Sequence, residues 1–174
     1  MDKAPPIVVI GASVGGVDAI CALTAALPAG FAAAVFVVLH IGAQKSKLPW
    51  LLNQQGPLRA CHPADDDPIH AGRIYVAPPD HHLLVEPGHV RLTRGPRQNW
   101  ARPAVDPLFR SAARAYGPGV IGVVLTGGLN DSTAGLFEVK QRGGATVVQD
   151  PADAADPGIA AELKMQFSRA TKLS

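Results

Sequence analysis

Uninterrupted apolar runs alternate with longer stretches of helical spacing along most of the chain. Three of these runs are rich in β-branched residues and lack polar alternation, a pattern typical of strands that are buried on both faces of a parallel sheet. The runs are residues 7–10, 34–39 and 120–125. Helices are predicted between or after them, at residues 17–27, 47–55, 105–116 and 133–142. The alternation predicts an α/β fold with a doubly wound, mainly parallel sheet and helices on both faces.

Shorter signals complete the predicted fold. Two further strands and the two arms of an antiparallel hairpin are predicted at residues 73–78, 145–149, 82–86 and 89–93. The hairpin insertion depends on the turn dipeptide Pro87-Gly88 between its arms. Residues 59–67 show neither the alternation typical of a strand nor the spacing typical of a helix, so they are expected to be irregular. Because the chain has no internal repeat and no linker, residues 1–174 are predicted to form a single domain.

Composition excludes several classes of protein. The 16 Lys and Arg residues against 14 Asp and Glu give a net charge of +2, too small and too scattered to indicate nucleic-acid binding. Cys21 and Cys61 cannot form a disulfide framework and lack the spacing of a zinc site. No segment has the length of a signal-peptide core or of a membrane span. We therefore expect a cytoplasmic protein that binds no nucleic acid, inserts into no membrane and uses no metal or cofactor.

The three most apolar strands lead into residues with reactive side chains. Ser13 lies in the glycine-framed turn GASVGG at residues 11–16, His40 ends the second run, and Asp131 follows the third. The carboxyl ends of parallel strands share one edge of a sheet, so these three residues are expected to meet there. A serine becomes a nucleophile when a histidine takes its proton, and a carboxylate orients that histidine. The pattern predicts a Ser-His-Asp triad.

Each member of the predicted triad also has a structural alternative. A serine in such a turn also caps the following helix, a histidine at a strand end also serves as a structural hydrogen-bonding group, and Asp131 precedes a predicted helix as an N-cap residue does. The same glycines suggest a nucleotide site as well. Ser13 and Val17, however, stand where two kinds of dinucleotide-binding turn need glycine, and the chain has no phosphate-binding G-x-x-x-x-G-K-[ST] loop. A nucleotide site is therefore disfavoured.

Five segments in order and at compatible spacing resemble the catalytic domain of the CheB family, the chemotaxis protein-glutamate methylesterases. They are GASVGG at 11–16, the strand ending in His40, GRIYVAP at 72–78, RPAVDPLF at 102–109 and LTGGLND at 125–131. The resemblance implies hydrolysis of γ-glutamyl methyl esters on the cytoplasmic helices of chemoreceptors, with release of methanol, and deamidation of specific receptor glutamines. It also implies that Ser13, His40 and Asp131 fill the catalytic roles of the family.

The turn and the resemblance together suggest where the substrate is held. The oxyanion is expected at backbone N–H groups near Val14 and Gly15, with the turn at Gly128 as a second contributor. Arg102 is predicted to contact an acidic substrate helix, and its alternative is an exposed arginine on a loop.

The chain departs from the family pattern at several positions. Val14 replaces the usual threonine, the Thr-Gly-Met-Gly turn becomes Thr126-Gly127-Gly128-Leu129, and Ser132 replaces a glycine. No receiver domain is expected before residue 7, and the Met-Pro-Arg run near the end becomes Ile159-Ala160-Ala161-Glu162. Two alternatives therefore stay open: a weakly active or inactive relative that acts as a signalling or binding module, and a serine esterase that acts on another ester.

Overall fold

The computed structural model describes residues 4–40, 45–125 and 132–149. In chain order the elements are β1 (Ile7–Ser13), α1 (Val17–Ala25), β2 (Ala34–His40), α2 (Leu48–Gln55), β3 (Arg59–Cys61), β4 (Arg73–Val76), β5 (His82–Glu86), β6 (His89–Thr93), α3 (Val105–Tyr116), β7 (Val120–Leu125), α4 (Thr133–Gln141) and β8 (Ala145–Val148). A short 3₁₀ turn, Val14–Gly16, joins β1 to α1.

Six strands form one parallel sheet in the order β3-β4-β2-β1-β7-β8. The antiparallel pair of β5 and β6 forms a separate hairpin, at the bounds that the sequence predicts. Helices cover both faces of the sheet, so the predicted α/β fold with a hairpin insertion is confirmed. Among the described parts of the chain, no helix is long and apolar enough to cross a membrane.

The strand β1 is apolar throughout because both of its faces are covered. Successive side chains of a strand point to opposite faces. Val8 and Ile10 belong to a core cluster with apolar residues of α1 and α2. Ile7 and Val9 belong to a second cluster with α3, the hairpin and Val139 of α4. The absence of polar alternation in β1 follows from this double burial.

One segment differs from its prediction. Residues 59–67 were expected to be irregular, but β3 pairs in parallel with β4 at the edge of the sheet. The side-chain amide of Asn53 stabilises this short strand, because it donates to the carbonyl of Ala60 at 2.9 Å and accepts from its N–H at 2.8 Å. β3 has only three residues, and the first is exposed. It is too short to show the alternation of apolar and polar side chains by which a strand is recognised in a sequence.

The topology creates a crevice at the carboxyl edge of the sheet. The chain leaves β1 towards α1 on one face, whereas α4, which follows β7, packs with α3 on the other face. Neighbouring strands whose connections diverge to opposite faces define a topological switch point, where ligands bind in open α/β sheets. The carboxyl ends of β1 and β7 therefore flank the place where a binding site is expected.

The start of α3 lies directly on β1, close to this crevice. A Cβ atom added at Gly11 would lie 2.5 Å from Cγ1 of Val105 and 2.9 Å from its Cγ2. Glycine at this position thus lets the first residue of α3 contact the strand backbone. The contact between Gly11 and Val105 fixes the position of the turn after β1 relative to the start of α3.

The segment between β6 and α3, residues 94–104, is held by charged groups; we call it the β6–α3 loop. Arg102 donates from Nε and Nη2 to Oδ1 of Asp80, at 2.9 and 2.6 Å, and from Nη1 to the carbonyls of Arg94 and Gly95. Arg94 donates to the other oxygen of Asp80. These hydrogen bonds, that of Arg102 first, lower the pKa of Asp80 to about 2.

We predict that Gly11→Ala destabilises the fold by about 1–3 kcal/mol, because the new methyl group overlaps the stiff β-branched side chain of Val105. Urea unfolding of the variant and the wild type measures the difference. Gly30→Ala is the matched control, since a Cβ there meets no atom within 4 Å. Equal losses in the two variants would contradict the close contact between β1 and α3.

The ion pair of Asp80 predicts a dependence of stability on pH. The pKa of this carboxyl is lower in the folded state than its ordinary value of about 3.9. The carboxylate therefore stabilises the fold above about pH 4, and its contribution is lost as the pH falls from about 4 through about 2. The difference in free energy of unfolding between the wild type and Asp80→Asn should shrink over this window. Arg102→Ala should raise the folded-state pKa of Asp80 towards its ordinary value, so that the loss is smaller and is complete at a higher pH. A difference that is independent of pH would contradict the assignment.

Candidate active site

Ser13 and His40 lie side by side at the carboxyl edge of the sheet. They are Cα partners in the parallel pairing of β1 with β2, and each is the last residue of its strand. Paired strands lie about 4.8 Å apart, and partners in register point to the same face. In β1, Ile7 and Val9 pack against the α3 side of the sheet, and in β2 Phe36 and Val38 do the same. Ser13 and His40 are an even number of positions from these residues, so their side chains lie on the α3 face as well. The structure brings together the predicted nucleophile and the predicted base.

The environment of Ser13 differs from that of a helix cap. Its backbone is extended, with φ −89° and ψ 176°, and its side chain makes no capping hydrogen bond to the 3₁₀ turn that follows. Ser13 is half-buried, and Nε2 of His40 is shielded from solvent. The capping alternative is therefore not the one that the fold adopts.

The predicted oxyanion donors lie in the turn immediately after Ser13. The 3₁₀ turn Val14–Gly16 leads directly into α1, and the first N–H groups of a helical segment have no acceptor within the helix. Gly15 is exposed, and a Cβ built on it would meet no atom within 4 Å. The backbone here has room for a substrate carbonyl beside a helix start, where negative charge is favoured.

Asp131 and Gly128 lie outside the described residues, so the structure says nothing of their positions. The described flanks of this segment both approach the crevice. Leu125 at the end of β7 pairs with Ala12 of β1, and Ser132 occupies the N-cap position of α4.

The start of α4 is attached to α3 by a buried carboxylate. Oδ1 of Asp106 accepts a hydrogen bond of 2.6 Å from the N–H of Gly135, in the first turn of α4. Asp106 follows Val105, which lies on Gly11, so one short path of contacts links α4 to the strand that carries Ser13. The sequence pattern around Asp106 does not predict this contact. An acidic residue in the first turn of a helix commonly interacts only with the dipole of its own helix.

Arg102 is largely buried, unlike the exposed arginine considered as its alternative role. Its side chain is only 17% exposed, and its nitrogens donate to Asp80 and to two loop carbonyls. The alternative of an exposed arginine is therefore wrong, and the guanidinium serves to anchor the β6–α3 loop. A direct contact of Arg102 with a substrate stays a prediction. The exposed cations of this loop are Arg94 and Arg97.

The chain is similar to known proteins over most of its length. The family model of CheB methylesterase matches residues 8–168. The chain is 42% identical over 156 residues to a protein-glutamate methylesterase/protein-glutamine glutaminase of Anaeromyxobacter dehalogenans and 38% identical over 160 residues to the protein-glutamate methylesterase FrzG of Myxococcus xanthus. These matches cover 88% and 90% of this chain but 46% and 48% of the relatives, so the chain spans about half of their length.

A solved structure gives the same result for the fold. The CheB methylesterase catalytic domain of Thermotoga maritima superposes with a TM-score of 0.81 at 32% identity, over 93% of this chain and 90% of that one. The resemblance inferred from five sequence segments is thereby confirmed. Agreement in sequence and in fold over nearly the whole chain means that this protein belongs to the CheB methylesterase family.

Proposed function

We propose that the protein is a serine hydrolase that demethylates γ-glutamyl methyl esters on the cytoplasmic helices of chemoreceptors. The observation that carries the proposal is the pairing of Ser13 with His40, in register, beside the switch-point crevice. The names of the relatives supply the reaction class, protein-glutamate methylesterase. One of these names also includes glutaminase, and deamidation of a glutamine uses the same attack on an acyl carbon.

The proposed reaction has two halves. His40 takes the proton of Ser13 while Oγ attacks the ester carbonyl, and the tetrahedral oxyanion is stabilised by backbone N–H groups of Val14 and Gly15. His40 then gives the proton to the departing methoxide, which leaves as methanol. The glutamyl acyl group stays bound to Ser13 as an acyl-enzyme. In the second half water attacks the acyl carbon with His40 as base, and glutamate and free Ser13 are formed.

Asp131 is proposed as the carboxylate that orients His40 and stabilises its imidazolium form, with Gly128 near the oxyanion. Support comes from the described flanks, because β7 pairs with β1 and the start of α4 is fixed by Asp106. Since Val14 carries no hydroxyl where the family usually has threonine, the oxyanion depends here on backbone donors.

We predict that a fluorophosphonate probe labels the wild type and does not label Ser13→Ala. His40→Gln should slow labelling by about 10²–10⁴-fold, because the general base is lost. Ser46→Ala is the matched control, since this half-buried serine follows β2 near the same edge and is expected to have no part in the reaction. Gel fluorescence and intact-protein mass measure labelling. A folded wild type that takes up no probe would contradict the hydrolase proposal.

The substrate is tested by methanol release from methylated fragments of a chemoreceptor cytoplasmic domain. We expect release by the wild type and none by Ser13→Ala, because the acyl-enzyme cannot form without Oγ. Hydrolysis of a small ester without release from receptor fragments would favour the esterase alternative. Binding to the fragments without any hydrolysis would favour the signalling module.

A further inference from the structure

The tip of the β6–α3 loop exposes a tryptophan that belongs to no core cluster of the described residues. Trp100 is 94% exposed. It is the second central residue of a tight turn in which Gln98 and Ala101 exchange two backbone hydrogen bonds, each of 3.0 Å. Asn99 and Trp100 have φ values of 49° and 64°, as in a type I′ turn.

Tryptophan is an unfavourable choice at this position on two grounds. The second central residue of such a turn is commonly glycine, and a positive φ strains a bulky side chain. Exposure of the indole also leaves its apolar surface in water. The fold gains no packing in return for either cost. Backbone strain that the surrounding structure maintains points to a role for the tip in contact with another molecule.

The base of the loop is rigidly attached, so the tip is held ready for such a contact. Arg102 ties the loop to Asp80 and to its own backbone. Nε2 of His82, a residue only 2% exposed, donates to the carbonyl of Pro96 at 2.9 Å. The N–H of Gly95 donates to the hydroxyl of Thr93 at 3.0 Å. A loop fixed before binding loses little conformational entropy on binding.

The exposed charged side chains of the β6–α3 loop are positive. The side chain of Arg94 is 65% exposed, and Arg97 is exposed next to the turn. The nearby acidic group, Asp80, already accepts hydrogen bonds from arginines on both of its oxygens. Tryptophan and arginine are the residue types that most often dominate binding energy at interfaces, and guanidinium groups bind carboxylates with paired hydrogen bonds. The surface therefore suits an acidic partner.

The tip lies within reach of the crevice. Val105 follows Trp100 by five positions and lies on Gly11, two residues before Ser13. At no more than about 3.6 Å per residue, the tip is within about 18 Å of the start of α3. An α-helix covers that distance in about three turns.

We infer that Trp100, Arg94 and Arg97 form a second contact for the substrate helix and bind an acidic stretch of that helix within a few turns of the ester that Ser13 attacks. The inference rests on the proposed function, since it names what holds the receptor helix on the enzyme. Guanidinium groups pair with carboxylates of the helix, and the indole packs on the apolar stems of its side chains. A small neutral ester bound at Ser13 does not reach this surface.

The test compares the kinetics of two substrates, methylated receptor fragments and a small activated ester. Trp100→Gly removes the indole and installs the residue that the turn favours, so folding is not at risk. We expect this variant and Arg97→Ala each to raise KM for receptor fragments by about 10-fold, with kcat unchanged and small-ester kinetics unaltered. Added salt should weaken the effect of Arg97→Ala, because screening removes the charge contribution.

Two variants serve as controls. Trp50→Ala removes a tryptophan that is 63% exposed on α2, which covers the opposite face of the sheet. Arg59→Ala removes an exposed arginine at the amino end of β3. Both should leave the kinetics on receptor fragments unchanged.

An unchanged KM for receptor fragments in Trp100→Gly would overturn the inference and leave the proposed function intact. An equal loss on both substrates would also overturn it, because the tip would then act on the reacting groups. Failure of the wild type to release methanol from receptor fragments while it hydrolyses the small ester would refute the proposed function and, with it, the inference. Binding to anionic vesicles or duplex DNA that requires Trp100, without an effect on receptor KM, would assign the tip to a different partner.

Discussion

The parallel pairing of β1 with β2 is the constraint on which the rest of the structure depends. β1 is hydrogen-bonded on both sides and covered on both faces, so a slip of one residue would exchange its apolar side chains between two different cores. The register is therefore set by buried surface along the whole strand. Ser13 and His40 stand at the end of this ladder and take their alignment from its register.

Elements specified by a local pattern were predictable from the sequence. The apolar runs of β1, β2 and β7 and the Pro87-Gly88 turn each carry their own signal, and the meeting of Ser13 with His40 follows from the rule that parallel strand ends share an edge. Longer-range contacts gave no such signal. β3 depends on pairing with β4 and on Asn53, and Arg102 reaches a carboxylate 22 residues away. The position of Asp131 relative to the pair stays a prediction.

Charged groups that have no part in the proposed chemistry hold two segments that adjoin α3. Asp106 fixes the first turn of α4, and Asp80 fixes the β6–α3 loop, through charge-assisted hydrogen bonds as short as 2.6 Å. Each carboxylate thereby accepts hydrogen bonds from groups of the fold itself. The charged side chains that stay exposed on the loop are arginines. The hydrogen bonds that hold the loop therefore also leave its surface positively charged.

The contact between Gly11 and Val105 makes the β6–α3 loop a spacer of fixed length, because its far end is clamped to the strand that carries Ser13. Insertion or deletion of residues in this loop would move its tip relative to Ser13 and leave the nucleophile in place. With a substrate helix held as inferred above, loop length would then set the distance along that helix between the residue at Ser13 and the stretch bound at the tip.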